Sequence, residues 1–478
     1  SVREKAFTQR FYLYLIMTKS AEKLYMSYAV KNSEGAALMP SYIIRSMRKM
    51  FSHCLKLSYK DTAQQNSYVT IPRAANSFDN TEIAANVDED IIDSLTGGRL
   101  VGSVTSFENF AECPLRYYLR YGVDLKEREE FTFSPVNFGV VLHAVIREVC
   151  DEIKKNGESY YLISEEKRRE MVKRSVAAIT DIYQNSILKD SSRNSFMIKR
   201  MEDLADRTIW AMGEQLKCGD FVPFVFEHKF NMEVGDGDRK QLMSGTIDRV
   251  DICENGTDVY VRIIDYKTGK KDFNIVKTYY GIDIQLMVYM EAAMKLVAKM
   301  RPGKNVIPAG VFYYNISDPI VSATTESAEE IEDKIKGELR LKGMVNSDKD
   351  IAEKMDNTEG TSLNIPVSRK ADGGFDSRRS KVMNTEQFNM LGRFVDVRAV
   401  DTADRIAGGD IRRSPYKDGQ FSSCDRCPYG AVCGFSVDLP GCNYRKLKKF
   451  DDEVLWNNIK EGVDENGKKM DTGAEERD

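Results

Sequence analysis

Acidic and basic side chains stand within or directly after two strand-like segments in the middle of the sequence. Asp265 and Lys267 follow the apolar run 259–264, and Asp248 lies at the centre of the segment 244–251. The run 259–264 is apolar enough to be a buried strand, and 244–251 is also strand-like. Burying carboxylates and lysines is unfavourable unless they bind one another, a metal or a charged substrate. Two carboxylates on neighbouring strands beside a lysine can hold a divalent cation and face a phosphate, as metal-assisted phosphodiester hydrolysis requires. The simpler alternative is a hairpin whose charged residues face solvent.

Two helical segments carry further side chains that suit such a site. Gln285 and Tyr289 are four residues apart, so they share one face of a helix. Gly139 and His143 have the same spacing in the predicted helix 136–153. A lone histidine on a helix is often a core residue, but the carboxylates farther along the chain favour a metal ligand here.

Three of the nine cysteines lie close together near the end of the sequence. Cys424, Cys427 and Cys433 form the pattern C-x-x-C-x-x-x-x-x-C. Three thiols are one short of a tetrahedral set, and both a zinc ion with a distant fourth ligand and an iron–sulfur cluster held by four thiolates fit the pattern. The fourth ligand could be Cys442, the nearest in sequence, or Cys113, which opens the run C-P-L-R-Y-Y. We expect the bound group to be structural rather than redox-active, because it would close a long loop.

The segments around these residues predict a domain of mixed α and β structure. Thr105 and Glu108 fit a capping box, in which the hydroxyl accepts from the backbone at the start of a helix and the carboxylate reaches back. Strands are predicted at 224–234, which includes Glu227, and at 306–315. Helices are predicted at 165–184, 200–215 and 385–406, and the polar stretch 322–376 is predicted to be a peripheral insertion.

Length and composition are those of a globular protein with two or three domains. The chain has 478 residues, of which 42% are hydrophobic and 30% charged, and its net charge is −4. This balance argues against a uniformly basic nucleic-acid-binding protein but is compatible with local basic patches. No apolar run approaches the ~20 residues that span a bilayer, and there is no signal peptide, so we expect no membrane association and a cytoplasmic location.

The chain divides into four parts by composition. Residues 1–58 contain predicted helices, and 59–100 loses hydrophobic periodicity and is predicted to be a linker. The candidate chemistry falls within 101–450, and the charged tail 451–478 is expected to be disordered after one short helical turn. Because the chain opens with Ser1 inside an established pattern, we interpret it as a fragment of a longer protein.

The order of the motifs resembles that of known nucleases. Gly-x-x-x-His, Gly-x-x-Asp, Asp-Tyr-Lys and Gln-x-x-x-Tyr follow one another as in the RecB-like branch of the PD-(D/E)XK superfamily; here they occupy 139–143, 245–248, 265–267 and 285–289. The early Cys-Pro and the late cysteine cluster resemble the 4Fe–4S staple of AddB nuclease domains. The resemblance extends from Thr18-Lys19 to Tyr444-Arg445, which is nearly the whole chain except the tail. The chain therefore resembles the C-terminal part of the AddB family.

This resemblance implies a fold and a metal site. The fold would be a restriction-endonuclease-like mixed sheet flanked by helices and stapled by an iron–sulfur cluster. His143, Asp248 and Asp265 would ligate Mg²⁺ or Mn²⁺, and the main-chain carbonyl of Tyr266 would be a further ligand. Glu227 matches a supporting carboxylate more loosely.

The resemblance also implies roles for the remaining residues. Lys267 would orient the attacking water and stabilise the negative charge of the transition state. Gln285 and Tyr289 would position the DNA backbone or the lysine. The 4Fe–4S cluster would be held by Cys113, Cys424, Cys427 and Cys433.

Residues 1–58 resemble the end of a degenerate UvrD-like helicase domain. The pattern predicts a short helix, a strand ending at Tyr28 and a helix at 40–56. In such domains an arginine follows the threonine of the last motif and contacts the γ-phosphate, whereas Lys19 follows Thr18 here. Lysine lacks the planar fork of arginine, and no phosphate-binding loop motif occurs. We therefore expect no intact ATPase site in this chain.

The family resemblance implies a metal-dependent DNA exonuclease module of a helicase–nuclease that resects double-strand breaks for recombinational repair. Its partners would be single-stranded DNA ends and an AddA-like helicase subunit. Two alternatives are a scaffold and DNA-binding subunit with a vestigial pocket, and a stand-alone RecB-like exonuclease. The presence of Asp248, Asp265 and Lys267 favours an active nuclease, and the helicase-like opening segment argues against the stand-alone enzyme.

Overall fold

The structure is a computed structural model that describes residues 2–19, 41–51, 86–88, 101–126, 135–182, 192–234, 241–322, 327–437 and 442–475, with a few single positions besides. The chain divides into two compact units, Ser1–Asn80 and Thr81–Asp478. The first unit contains helices α1 (Val2–Thr18) and α2 (Tyr42–Met50), and α2 lies within the predicted helix 40–56. Most of the predicted strand ending at Tyr28 and of the predicted linker lies outside the described residues.

The second unit is built on a mixed sheet. Its strands are β1 (Val101–Ser103), β2 (Val222–Val234), β3 (Gln241–Asn255), β4 (Asp258–Lys267), β5 (Asn305–Asn315), β6 (Lys342–Asn346) and β7 (Val382–Met383). They follow the order β1–β3–β4–β5–β6–β7, and β2 also pairs with β3. β3 is antiparallel to β2 and β4, whereas β4 and β5 are parallel. The predicted mixed α/β fold is confirmed.

Helices cover both faces of this sheet. The helices of the second unit are α3 (Val104–Glu112), α4 (Pro114–Tyr117), α5 (Pro135–Lys155), α6 (Glu165–Ile182), α7 (Ser192–Lys217), α8 (Ile275–Tyr279), α9 (Gln285–Met300), α10 (Ala328–Glu338), α11 (Lys349–Met355), α12 (Thr385–Ala407), α13 (Gly430–Cys433) and α14 (Asp452–Glu475). Within the described ranges, none of these helices has the length and apolar character needed to cross a membrane.

Two apolar cores form, one on each face. Leu142 of α5 and Ile264 of β4 belong to one core, and Ile263 of β4 and Leu286 of α9 belong to the other. Ile263 and Ile264 enter opposite cores because successive side chains of a strand point to opposite faces. A strand covered on both faces reads as a continuous apolar run, as the residues before Asp265 do.

The predicted capping box at Thr105 is wrong. α3 begins at Val104, and its N-cap is Ser103, whose hydroxyl accepts from the backbone one turn along. The carboxylate of Glu108 does not reach back to the start of its own helix. It accepts instead from two backbone N–H groups at the start of α9.

Two polar stretches differ from their predicted structure. The stretch 322–376 is not a peripheral insertion, because it supplies β6 to the sheet and buries Leu341 and Ile365 in the core. The tail predicted to be disordered forms α14, in which Leu455 and Ile459 are buried and which packs against α12. Residues four apart share one helix face, so these two side chains anchor an otherwise charged helix.

A second, small sheet lies beside the end of α3. It consists of β8 (Tyr416–Asp418), β9 (Phe421–Ser422) and β10 (Arg445–Lys446). The hydroxyl of Ser423 donates to the carbonyl of Glu112 at 3.4 Å, and the guanidinium of Arg445 donates to the carbonyl of Ala111. The cysteine-rich segment late in the sequence therefore packs against the helix that precedes Cys113.

Candidate active site

Three potential metal ligands converge from three elements. His143 lies on α5, Glu227 on β2 and Asp248 on β3, and their ligand atoms all lie within 4.8 Å of one another. The Nδ1 atom of His143 is 3.6 Å from Oε1 of Glu227 and 3.4 Å from Oδ1 of Asp248. In the part of the chain that the structure describes, this is the one group of three such residues at that spacing. We refer to it as the three-ligand group.

The negative charges of the three-ligand group favour a bound cation. Burial alone lowers the pKa of His143, but the hydrogen bonds and charges of Asp248 and Glu227 outweigh burial and raise it to about 10. A proton on the imidazole therefore offsets part of the negative charge of the two carboxylates. Because a ligating histidine must be neutral, a bound divalent cation would take the place of that proton.

Glu227 has an unusual backbone conformation. Its φ is +48°, in the left-handed region that residues with a Cβ rarely adopt. On β2 it lies opposite Asp248, because the residues on either side of both positions pair with one another. Strained backbone of this kind is found mainly at functional sites. The sequence motifs match Glu227 only loosely, and its position beside Asp248 depends on a cross-strand register that the sequence does not display.

Asp265, Lys267, Gln285 and Tyr289 form a second connected group, which we call the lysine group. The Nζ atom of Lys267 lies 2.6 Å from Oδ2 of Asp265 and donates to Oε1 of Gln285 at 3.0 Å. The Nε2 atom of Gln285 donates to Oδ1 of Asp265 at 3.1 Å and to the hydroxyl of Tyr289 at 3.0 Å. The pKa of Asp265 is raised to about 7, chiefly by burial and next by the charge of Asp248, although Lys267 lowers it.

The structure thus divides the predicted site residues between two adjoining groups. Asp248 links the groups, because its Oδ1 faces His143 and its Oδ2 accepts from the backbone N–H of Tyr266 at 2.6 Å. Asp265, predicted to be a metal ligand, contacts the lysine and the glutamine instead of joining the three-ligand group. Glu227 takes the third place in the three-ligand group.

The cysteines of the predicted cluster surround one small cavity. Cys113 follows α3, the other three lie in the segment after β9, and all four line a cavity of about 20 Å³ that Cys442 does not line. Burial is the main cause that raises the pKa of the thiols of Cys113, Cys424 and Cys433. Among the described residues, no three cysteine sulfurs lie within 4.8 Å of one another. Thiolates bound to one tetrahedral zinc ion would lie only ~3.8 Å apart.

The fold and the site define a class of protein. A mixed sheet with paired carboxylates and a lysine beside a candidate cation site is a framework typical of metal-dependent nucleases. The family model described as "PD-(D/E)XK nuclease superfamily" matches residues 102–434, which is more than half of the chain. The chain belongs to the PD-(D/E)XK nuclease superfamily.

Curated relatives share one description, in which each is a subunit of an "ATP-dependent helicase/deoxyribonuclease". The chain is 31% identical to the protein of that description from Caldanaerobacter subterraneus over 100% of its own length. It is 30% identical to those from Clostridium acetobutylicum and Lachnoclostridium phytofermentans over 97% and 99% of its length. The matches cover 46%, 45% and 45% of these relatives, so the chain spans about half of their length. The family resemblance predicted from the motifs is confirmed.

Proposed function

We propose that this chain is the nuclease part of a helicase–deoxyribonuclease and hydrolyses DNA phosphodiester bonds with Mg²⁺ or Mn²⁺. The observation that carries the proposal is the convergence of His143, Glu227 and Asp248 beside the lysine group. The description of the relatives, which names a deoxyribonuclease and a helicase, supports DNA as the substrate. The substrate would be single-stranded ends of broken DNA, which an AddA-like helicase subunit would deliver.

Each group has a distinct role in this proposal. His143, Glu227 and Asp248 would hold the cation, with Asp265 as the neighbouring carboxylate. The cation, when bound, activates water and neutralises charge on the phosphate. Lys267, fixed by its two hydrogen-bonding neighbours, orients the attacking water and stabilises the negative charge that develops on the phosphate oxygens.

A scaffold subunit with a vestigial pocket is the main alternative. The left-handed backbone of Glu227 and the buried carboxylate of Asp265, which is 2% exposed, are unfavourable for folding on their own. A pocket without chemistry would gain nothing from keeping both, so their presence supports an active nuclease. The second alternative is a stand-alone exonuclease. It agrees less well with the relatives, which are about twice as long and whose description names a helicase.

The cysteines support a second part of the proposal, a 4Fe–4S cluster held by Cys113, Cys424, Cys427 and Cys433. Their side chains line one cavity, and no three of the described cysteine sulfurs lie within 4.8 Å of one another, as the ligands of a single zinc ion would. Such a cluster would tie the end of α3 to a segment more than three hundred residues later. Its role would be structural.

Cleavage should depend on a divalent cation and on Glu227. Glu227→Gln keeps the size of the side chain but removes its charge, so we expect the affinity for Mg²⁺ to fall roughly tenfold or more. Cleavage at limiting Mg²⁺ should fall with it and recover in part at higher concentration. The measurement is cleavage of an end-labelled single-stranded oligonucleotide across Mg²⁺ and Mn²⁺ titrations, with EDTA as the zero point.

Glu233→Gln is the matched control, because Glu233 is an exposed glutamate on the same strand. It should leave both titrations unchanged. An unaltered Mg²⁺ dependence in Glu227→Gln would contradict the ligand role of this residue. A wild-type chain that binds DNA but cleaves none with either cation would favour the scaffold alternative.

ATP hydrolysis is not expected from this chain alone. Lys19 stands where helicases place an arginine, and the sequence has no phosphate-binding loop motif. Phosphate release in the presence of single-stranded DNA should therefore equal the background without protein. ATP hydrolysis that persists after further purification would disprove this prediction. DNA unwinding should require an AddA-like partner.

A further inference from the structure

The first turn of α9 is held by a side chain from a different helix. The Oε1 atom of Glu108, on α3, accepts from the backbone N–H groups of Ile284 and Gln285, both at 3.0 Å. Ile284 is the N-cap residue of α9 and makes no capping hydrogen bond with its own side chain. Because the first N–H groups of a helix have no partners within it, Glu108 supplies the cap that α9 lacks locally.

The same turn carries the residue that holds the proposed catalytic lysine. Gln285 donates to Glu108 with its backbone, and its side chain contacts Lys267, Asp265 and Tyr289. Glu108 therefore fixes the backbone of Gln285, from which the side-chain amide extends toward Lys267. A displacement of this turn by about 1 Å would lengthen the hydrogen bond to Lys267 beyond the usual range.

Charged neighbours surround Glu108. The Nζ atom of Lys271 is 3.0 Å from Oδ1 of Asp283, which also accepts from the hydroxyl of Tyr313 at 2.7 Å. The pKa of Glu108 is raised to about 7, mainly by burial, while Lys271 lowers it and Asp283 raises it. A protonated carboxyl group still has an oxygen that can accept from the two N–H groups. The contact therefore depends on the reach of the side chain more than on its charge.

We propose that Glu108 is a positioning residue for DNA cleavage, which acts through Gln285 on Lys267. This inference rests on the proposed nuclease function. Glu108 fixes the first turn of α9, and Gln285 then holds Lys267 and Asp265 in the arrangement that hydrolysis needs. Because rate depends on placement of the reacting groups to within a fraction of an ångström, losing this contact reduces turnover more than it reduces affinity for DNA or metal.

Glu108→Ala should lower kcat for a single-stranded oligonucleotide with Mg²⁺ by about 10- to 100-fold. KM and the midpoint of the Mg²⁺ titration should change by less than about twofold, since neither depends on the placement of the lysine. Glu108→Gln keeps an oxygen acceptor at the same reach and should retain at least about a third of the wild-type kcat. Glu108→Asp keeps the charge but is one methylene shorter, so it should lose activity like the alanine variant while disturbing folding less.

A double-mutant cycle separates positioning from general structural damage. Once Gln285→Ala has removed the contact to Lys267, adding Glu108→Ala should lower kcat by less than about twofold more. Glu330→Ala is the matched control, because Glu330 also accepts from a backbone N–H at a helix start, that of Ser327 at 2.7 Å, on a helix with no residue in the site. Its melting temperature should fall, but its kcat should not.

A wild-type kcat in Glu108→Ala or Glu108→Asp would overturn the inference. So would a double variant in which the losses of kcat from Glu108→Ala and Gln285→Ala multiply, because the two residues would then act independently. A kcat for Glu108→Gln as low as that for Glu108→Ala would also overturn it, because charge rather than reach would then decide. A wild-type chain that cleaves no DNA would overturn the proposed function, and this inference with it. The behaviour of the wild type therefore distinguishes the two failures.

Discussion

Lys267→Ala is expected to reduce DNA cleavage by about 10³-fold and to leave the affinity for Mg²⁺ or Mn²⁺ at its wild-type value. Lys267 belongs to the lysine group, where it contacts Asp265 and Gln285, and it is not one of the three proposed metal ligands. Asp265→Ala should reduce both cleavage and cation affinity, because this buried carboxylate contributes negative charge next to Asp248. Single-turnover cleavage of a labelled oligonucleotide and calorimetric titration with Mn²⁺ separate the two variants.

Lys270→Ala is the control for loss of a positive charge near the site. Lys270 is exposed in the turn that follows β4, and its replacement should leave cleavage close to wild type. Cleavage by Lys267→Ala at the wild-type rate would show that the assigned role is wrong. Loss of cation binding in that variant would show that Lys267 supports the site as a whole and does not act only on the reaction.

The sheet and most of the site could be predicted because they depend on local patterns. The apolar run before Asp265 and the segment around Asp248 indicated two strands, and these form the antiparallel pair β3 and β4. The four-residue spacing of Gln285 and Tyr289 indicated one helix face, and the two side chains do contact each other on α9. Period-two and period-3.6 patterns carry such information within a few residues of sequence.

Other features depend on contacts that no local pattern encodes. The residues around Thr105 matched a capping box, but the donors that satisfy Glu108 are 176 and 177 residues away. Glu227 acquires its importance from the register of β2 on β3 and from its left-handed backbone. The charged composition of the tail predicted disorder, but α14 forms there. The four-residue spacing of Leu455 and Ile459, which are both buried, was the signal in the sequence that indicated a helix packed on the core.

Cys113→Ala should abolish iron binding and destabilise the second unit. In the chain-entropy model, a cross-link that closes a loop of more than three hundred residues stabilises the folded state by roughly 6 kcal/mol. Its loss should lower the melting temperature by several degrees. DNA binding and cleavage should weaken as a consequence, because Cys113 ends the helix whose Glu108 holds α9. The measurements are iron content, visible absorbance and thermal melting of anaerobically purified protein.

Cys442→Ala is the control that separates the loss of a cluster ligand from the loss of a buried thiol. Cys113 and Cys442 are both buried, with 8% and 6% exposure, so truncation of either side chain leaves a similar small gap. Only Cys113 lines the cavity shared with Cys424, Cys427 and Cys433, and iron content should therefore be unchanged in Cys442→Ala. Full iron in Cys113→Ala together with its loss in Cys442→Ala would identify Cys442 as the fourth ligand. Zinc in place of iron in the wild type would mean that the cysteines hold a single ion, and that their wide spacing contracts when the metal binds.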